Sequence, residues 1–433
     1  MSTPMKASGV TWIGEVPVAW GIQRYGDAIT HIKNRSGVCV APGSISFGRV
    51  VFKDVDSIPL ETLSTYQNVC EGDLLLNPIN LNYDLKSLRT ARSRITTCVS
   101  PAYIVARAKS SAGWSDGYLE FTLSCFDRFE MKSLGAGVRQ TITFSDIAKR
   151  ILVKPPLAEQ IAVAAYLDKA TAIIDKQRAL LERKQALLQE QKKAVIHEAV
   201  TKGLDGGVPI KASGVDWLGD MPGRWKLKRA GDLGIFTASG IDKLANDRED
   251  QVYMFNYLDV YRSQSKIIWP SNSLMRTTCS TTKRIVHAVK DGDVLITPSS
   301  ETEDDIGHAA VVVGTQPNTV YSYHLIRFRR SRADIDQNYF RIYWNSPANR
   351  SYMSFESRGT TRKILNRKSF KKAVIPLPPL DEQIAIADYV DKTTGLIDKQ
   401  SALIEEKVKL LAELRTSIIH EAVTRGVPAE CVN

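Results

Sequence analysis

A chain of 433 residues exceeds one ordinary hydrophobic core and has room for about two to four domains. Its 43% apolar and 24% charged residues exclude the disordered and fibrous classes. The net charge of +11 favours a polyanionic partner, because clustered Lys and Arg displace condensed counterions, although charge alone leaves DNA, RNA and an anionic membrane open.

Six cysteines, Cys39, Cys70, Cys98, Cys125, Cys279 and Cys431, are scattered without a CxxC pair, so neither a disulfide framework nor a zinc module is expected. The opening MSTPMKASGV has no apolar leader region, and no run approaches the roughly 18 apolar residues of a spanning helix. A reduced, cytoplasmic protein without a membrane partner is the expectation.

The first element, residues 1–24, contains KASGVTWIGEVP from Lys6 to Pro17. It returns as KASGVDWLGDMP from Lys211 to Pro222 with 8 of 12 positions identical, and Trp20 and Arg24 return as Trp225 and Arg229. Self-similarity of this kind makes the chain a duplicated one.

Residues 25–153 form the first of two unlike inserts. YIVARA at Tyr103 to Ala108 reads as a strand, and CEGDLLLNP as a GD turn feeding a short apolar strand. Positive charge gathers in LKSLRTARSR, which makes Lys86, Arg89, Arg92 and Arg94 candidate DNA contacts, with Arg107 in YIVARA and Arg139 in AGVRQTI. The small residues before Arg139 allow close backbone approach to a phosphate. A solvated charged face explains any one of these cations alone, whereas the clusters together favour nucleic acid. NPIN at Asn77 to Asn80 lacks the second Pro and the aromatic of the NPP(Y/F) tetrapeptide of amino-methyltransferases, and GAG at Gly135 to Gly137 is no GxGxxG.

Residues 154–204 read as a long helix. PPLAEQIA places Pro at the first helical position and an acid in the first turn, both start signals. No Pro or Gly follows until Gly203, so the 45 residues from Leu157 to Thr201 predict a rod of about 68 Å. Apolar doublets recur every seven residues at Ile173 and Ile174, Leu180 and Leu181, Leu187 and Leu188. Ile173, Leu180 and Leu187 are taken as the packing seam, with Leu403 and Leu410 from the second copy.

Residues 205–229 hold the turn-rich TKGLDGGVPIK and the second copy of the N-terminal segment. In the second insert, residues 230–377, HLIRFRR and AAVVVG read as strands and VKDGDVLITP repeats the GD turn, which predicts a shared fold despite weak identity. Its candidate DNA contacts are Lys283, Arg284, Arg327, Arg329, Arg358, Arg362 and Lys363, and GTTRKIL here parallels AGVRQTI.

Residues 378–426 repeat the helix, with 29 of 47 positions identical between Pro155–Thr201 and Pro378–Thr424, and residues 427–433 form a tail. Gly395 is expected to weaken or bend this copy locally. Two heptad helices in one chain predict an intramolecular, antiparallel coiled coil. His197 and His420 occupy equivalent places in IHEAVT and are expected to pack or cap rather than bind metal. All length divergence lies in the inserts, so two similar scaffolds carry two dissimilar modules, as a reader of two unlike half-sites requires. Duplication with simple drift would spread differences more evenly. No phosphate loop, HExxH or nuclease constellation is visible, so no catalytic or metal residue is assigned.

SGVTWIGEVPVAW and SGVDWLGDMPGRW, EGDLLLNP and DGDVLITP, RGTTRKIL, and PLPPLDEQIAIADYVDKTTGLIDKQ together resemble the specificity subunit of type I restriction-modification enzymes, over essentially the whole chain. The resemblance implies an α+β fold: two mixed α/β target-recognition domains separated by two long helices that form an antiparallel coiled coil, with pseudo-two-fold symmetry. It implies a non-catalytic role in which each domain reads one half of a bipartite, asymmetric double-stranded DNA target. Two modification (methyltransferase) subunits would dock on the repeated regions, with restriction (translocase and nuclease) subunits joining them. S-adenosylmethionine, ATP and magnesium would reside on those partners, and this chain would hold no cofactor. Two rivals make different predictions. A self-contained methyltransferase or nuclease needs a donor or metal site that the motifs do not supply, and a coiled-coil adaptor would bind its partner unchanged when the insert arginines are neutralised.

Overall fold

A computed structural model of the chain describes residues 4–33, 39, 41–46, 48–54, 58–79, 81, 87–134 and 140–427. The chain divides into two compact units, Met1–Glu182 with Glu406–Asn433, and Arg183–Glu405. Each unit contains one insert, the start of one long helix and the end of the other.

In the first unit an antiparallel sheet runs in the order Ile29–His31, Ile104–Ala108, Leu74–Leu76, Thr90–Arg92. The helix Asp116–Phe129 covers it, started by Ser115, whose side chain accepts from the Tyr118 amide. Tyr118, Leu119 and Phe126 of that helix are buried with Leu74, Leu76 and Ile104 of the sheet. In the second unit five strands run in the order Gly234–Ala238, Ile326–Arg330, Val294–Ile296, Ala309–Val312, Ile267–Ile268, with only the last pair parallel. Here Phe236, Phe328, Phe340, Trp344 and Phe370 fill the core, with the Phe328 and Phe340 rings stacked at 4.0 Å. Such aromatic layers bury large apolar area at low rotamer cost.

The inserts share a register as well as a fold class. Ala106 pairs with Leu74 in the first, and Phe328 with Val294 in the second, each one step after a GD turn. Gly72 (φ 89°) and Gly292 (φ 78°) take the left-handed backbone the turn requires. The strands predicted at Tyr103–Ala108, Ala309–Gly314 and His324–Arg330 are found at Ile104–Ala108, Ala309–Val312 and Ile326–Arg330.

The repeated motifs explain how unlike inserts fit a common scaffold. Each insert starts and ends on one antiparallel strand pair, Gly21–Arg24 with Ile151–Lys154 and Lys226–Arg229 with Val374–Leu377. Trp20 then donates its indole N–H to Glu159 at 2.7 Å, and Trp225 donates to Glu382 at 3.0 Å, which pins each long helix beside that pair. The next residues, Gln160 and Gln383, are wholly buried. Gln160 accepts the Ser115 amide and Gln383 the Asp336 amide, both at 2.9 Å, so each glutamine grips the residue that caps an insert helix. The PPLxEQ run is therefore a structural joint.

The long helices run Leu157–Lys202 and Leu380–Arg425, the second continuing through Gly395. Within the second unit Gln185 meets Glu405 at 3.2 Å, Gln189 meets Ser401 at 3.4 Å and Lys192 meets Asp398 at 2.6 Å. Advancing on one helix retreats on the other, so the pairing is antiparallel. Within the first unit Arg415 meets Asp175 at 3.2 Å in the same register.

The seam itself differs from expectation. Ile173, Leu180, Leu187, Leu403 and Leu410 are 51–72% exposed, whereas Ile174, Leu188, Ile397, Ile404 and Leu411 are buried. Adjacent residues diverge by about 100° around a helix, so only one member of each doublet faces the partner helix. It is the second member. His420 hydrogen-bonds the Trp12 carbonyl at 2.6 Å in a packing role. One cysteine pair was not anticipated from spacing: Cys39 and Cys98 form a disulfide with Cα atoms 5.7 Å apart. No described helix is long and apolar enough to cross a membrane.

Candidate nucleic-acid interface

Most of the predicted cations serve the inserts' own architecture. In the first unit Arg107 pairs with the buried Asp73 at 2.6 Å, and the contact raises the arginine's affinity for its proton. Asp73 also accepts the Cys70 amide at 2.8 Å, closing the GD turn. Arg94 reaches Glu120 at 2.9 Å and Arg92 reaches it at 4.0 Å, while burial raises the carboxyl's proton affinity. The Arg89 amide donates to Asp127, a buried carboxylate that desolvation pushes up to about 6. Lys86 and Arg139 lie outside the described residues.

The second unit repeats the Asp–Arg joint. Arg329 meets both oxygens of Asp293 at 2.6 Å, and Asp293 accepts the Lys290 amide at 2.7 Å. For Arg327 the expectation of a DNA contact is corrected. Its side chain is buried, donates to the Ala288 carbonyl at 2.9 Å and lies over the Tyr321 ring at 5.4 Å. Phe328 points into the aromatic core, so Arg327 points to the opposite face of this central strand, which the cluster of Leu295 and Tyr321 buries as well. Arg284 is held by Asp250 at 3.0 Å and Asn318 at 2.7 Å, and Lys363 by Glu303 at 3.1 Å.

What remains is one face of the second insert. Arg358 and Ile364 exchange backbone hydrogen bonds of 3.1 and 2.8 Å, closing a tight loop. Gly359 sits at φ 118°, and a Cβ there would strike the Arg362 carbonyl, so the loop requires glycine. Arg362 stands exposed on it with no ion pair or side-chain hydrogen bond among the described residues. Arg362 and Lys243 both act on His324, which burial and these charges hold below its usual value. Beside it Tyr323 is exposed and packs on the His324 ring at 3.8 Å, and its amide bonds the Ile241 carbonyl. Exposed Lys283 reaches the neighbouring Gly240 carbonyl at 2.9 Å.

Lys243, Tyr323, His324 and Arg362 on loops, with Lys283 on the helix Thr281–Val286, thus form a basic and aromatic group on this insert. Cations of this kind anchor phosphates, and an exposed aromatic adds a surface for base or sugar contact. Of its members, Lys283 and Arg362 are among the candidates read from the sequence, and Lys243, Tyr323 and His324 are not. The available signal was the aromatic and histidine pair immediately before the LIRFRR strand.

Residues 222–408 match the family described as Type I restriction modification DNA specificity domain. The EcoKI specificity subunit of Escherichia coli K12, a type I restriction enzyme component, is 23% identical over 411 residues, spanning 93% of this chain and 85% of its own length. A solved structure described as the structural basis of complex assembly and conformational transition of the type I R-M system superposes with a TM-score of 0.69. It is 16% identical and covers 95% of this chain and 99% of its own.

Proposed function

We propose that the chain is a member of the type I restriction-modification specificity family, which its residues 222–408 match, and that its two inserts each read one half of a bipartite double-stranded DNA target. The observation that carries this reading is the contrast between joints and surfaces. Asp73–Arg107 and Asp293–Arg329 are the same device in both inserts, as are Trp20–Glu159 and Trp225–Glu382. The loops those joints hold up differ in length and sequence. A family of specificity subunits supplies recognition, not bond making, and this chain acts as the non-catalytic reader of its complex.

The partners follow from the helices. Leu396, Leu403 and Leu410 on one helix and Ile173, Leu180 and Leu187 on the other leave an exposed apolar residue every seventh position. Rows of large apolar side chains in water mark interaction surfaces, and two similar rows suit two copies of one partner. That partner is the modification subunit, which carries S-adenosylmethionine; restriction subunits, with ATP and magnesium, complete the assembly.

Selection from a randomised duplex pool by the chain with its modification subunit tests the proposal. Enrichment of a split motif with a fixed gap is the expected result. Binding without enrichment would leave a basic scaffold with no reading function.

A further inference from the structure

We propose that the second unit binds a small phosphate-bearing molecule in a cavity of about 370 Å³ at the foot of its insert, against the long helices. Lys266, Arg350, Arg341 and Lys192 line it, together with His308 and the carboxylates Asp391 and Asp398. Two of these cations already have carboxylate partners: Arg341 pairs with Asp391 and Lys192 with Asp398, each at 2.6 Å. The other two do not.

Lys266 reaches only the carbonyls of Tyr261 at 2.9 Å and Val260 at 3.4 Å. Arg350 reaches the carbonyls of Ile306 at 3.3 Å and Asp304 at 3.4 Å, and the His308 ring at 2.6 Å. Asp305 accepts from the Tyr261 hydroxyl at 2.6 Å and contacts the other His308 nitrogen at 2.7 Å. The described structure therefore holds two half-buried cations near one another without a carboxylate in salt-bridge range of either. Desolvation first, then repulsion from Arg350, brings Lys266 down to about 8. Lys266 also sits at φ 55°, a left-handed backbone that is uncommon for a residue with a side chain and recurs at binding sites.

An oxyanion relieves this arrangement. A planar guanidinium offers it paired donors and an ammonium a point charge, the combination that recognises phosphate. Ile196, Ile267, Ile342 and Val390 form the apolar side of the same cavity. The volume lies in the usual range for small-ligand pockets, roughly 300–1,000 Å³, and exceeds what an isolated phosphate fills. The ligand class is a phosphate monoester with a ring or other apolar portion. The site shares no residue with the basic and aromatic patch, so the inference stands independently of target reading.

The test is calorimetric titration of the full chain with inorganic phosphate and with adenosine 5′-monophosphate, against chloride at equal ionic strength. Saturable binding is expected, tighter for the nucleotide, and weakened at least tenfold by Lys266→Met with the unfolding temperature of the ligand-free chain unchanged. Absence of saturation, or equal binding by Lys266→Met, overturns the proposal. Stoichiometric displacement by a short duplex would assign the phosphate to DNA and overturn the small-molecule assignment. If Lys266→Met does not fold, titration of the unaltered chain with sulfate, whose charge is constant, across pH 7 to 9 decides. Lys266 is faced by Arg350, Asp305 and Lys192 and loses its proton at about 8, so affinity should fall above that pH. A flat profile contradicts the site.

Discussion

Arg329 holds the buried carboxylate of Asp293 through two nitrogen-to-oxygen contacts of 2.6 Å. The same joint, Arg107 on Asp73, closes the other insert one strand step after the GD turn. Removing one partner strands the other, and for a buried pair this costs about 3–5 kcal/mol. Asp293→Ala is expected at the low end, about 3 kcal/mol, because Arg329 keeps part of its surface in water. Denaturant unfolding followed by tryptophan fluorescence, with Trp344 buried in that core, reads the loss. An unchanged midpoint would show that the joint is ornamental.

The corrected helix seam separates two kinds of leucine. Truncating a buried aliphatic leaves a cavity and costs about 2–5 kcal/mol, so Ile404→Ala, at a 7% exposed position, should destabilise the helix pair. Leu403→Ala, at 72% exposure, should leave unfolding unchanged and weaken co-purification with the modification subunit. Equal effects of the two on stability would restore the seam expected from the heptads alone.

These two residues also show what a sequence conveys and what it does not. The doublets, the Pro and acid at each helix start, and the strands after each GD turn follow from local periodicity and backbone preference, and they are legible. Which member of a doublet faces inward depends on the rotation of one helix against another, which no local pattern sets. The arginines are less legible still. Arg107 and Arg329 look like DNA contacts until their acids are located 34 and 36 positions earlier, and Arg327 until its strand is found to be central. That Arg362 stands exposed on a tight loop was legible because glycine, a turn and a cation adjoin in the chain. Lys243 and Tyr323 join it only through folding. The Cys39–Cys98 pair, 59 residues apart, was invisible for the same reason.

Arg362 and Arg327 should fail differently. Arg362→Ala removes an exposed cation and is expected to reduce the slope of log affinity against log salt by about one, with stability unchanged. Arg327→Ala removes buried hydrogen bonds to Ala288 and Val286 and is expected to lower stability first. Salt titrations of duplex binding beside thermal unfolding distinguish them. A salt slope unaffected by Arg362→Ala would remove that residue from the interface.

Acid should loosen the second unit through His308. Burial first, then Arg350, depresses this imidazole from 6.5 to about 4. Between those values the unfolded chain binds the proton that the folded one refuses, so stability falls as pH drops from 6.5 towards 4 and the effect levels off below. His308→Gln should flatten that part of the profile, measured as the denaturation midpoint at pH 7 and pH 5. A variant that keeps the full acid sensitivity would place its origin elsewhere.

The central claim is that each insert reads its own half of the target. Replacing residues 230–373, which lie between the paired strands Lys226–Arg229 and Val374–Leu377, with the equivalent insert of a relative tests it directly when the exchanged chain is put through duplex selection with its modification subunit. One half of the enriched motif should change while the other half persists. A motif altered in both halves, or in neither, would contradict the account.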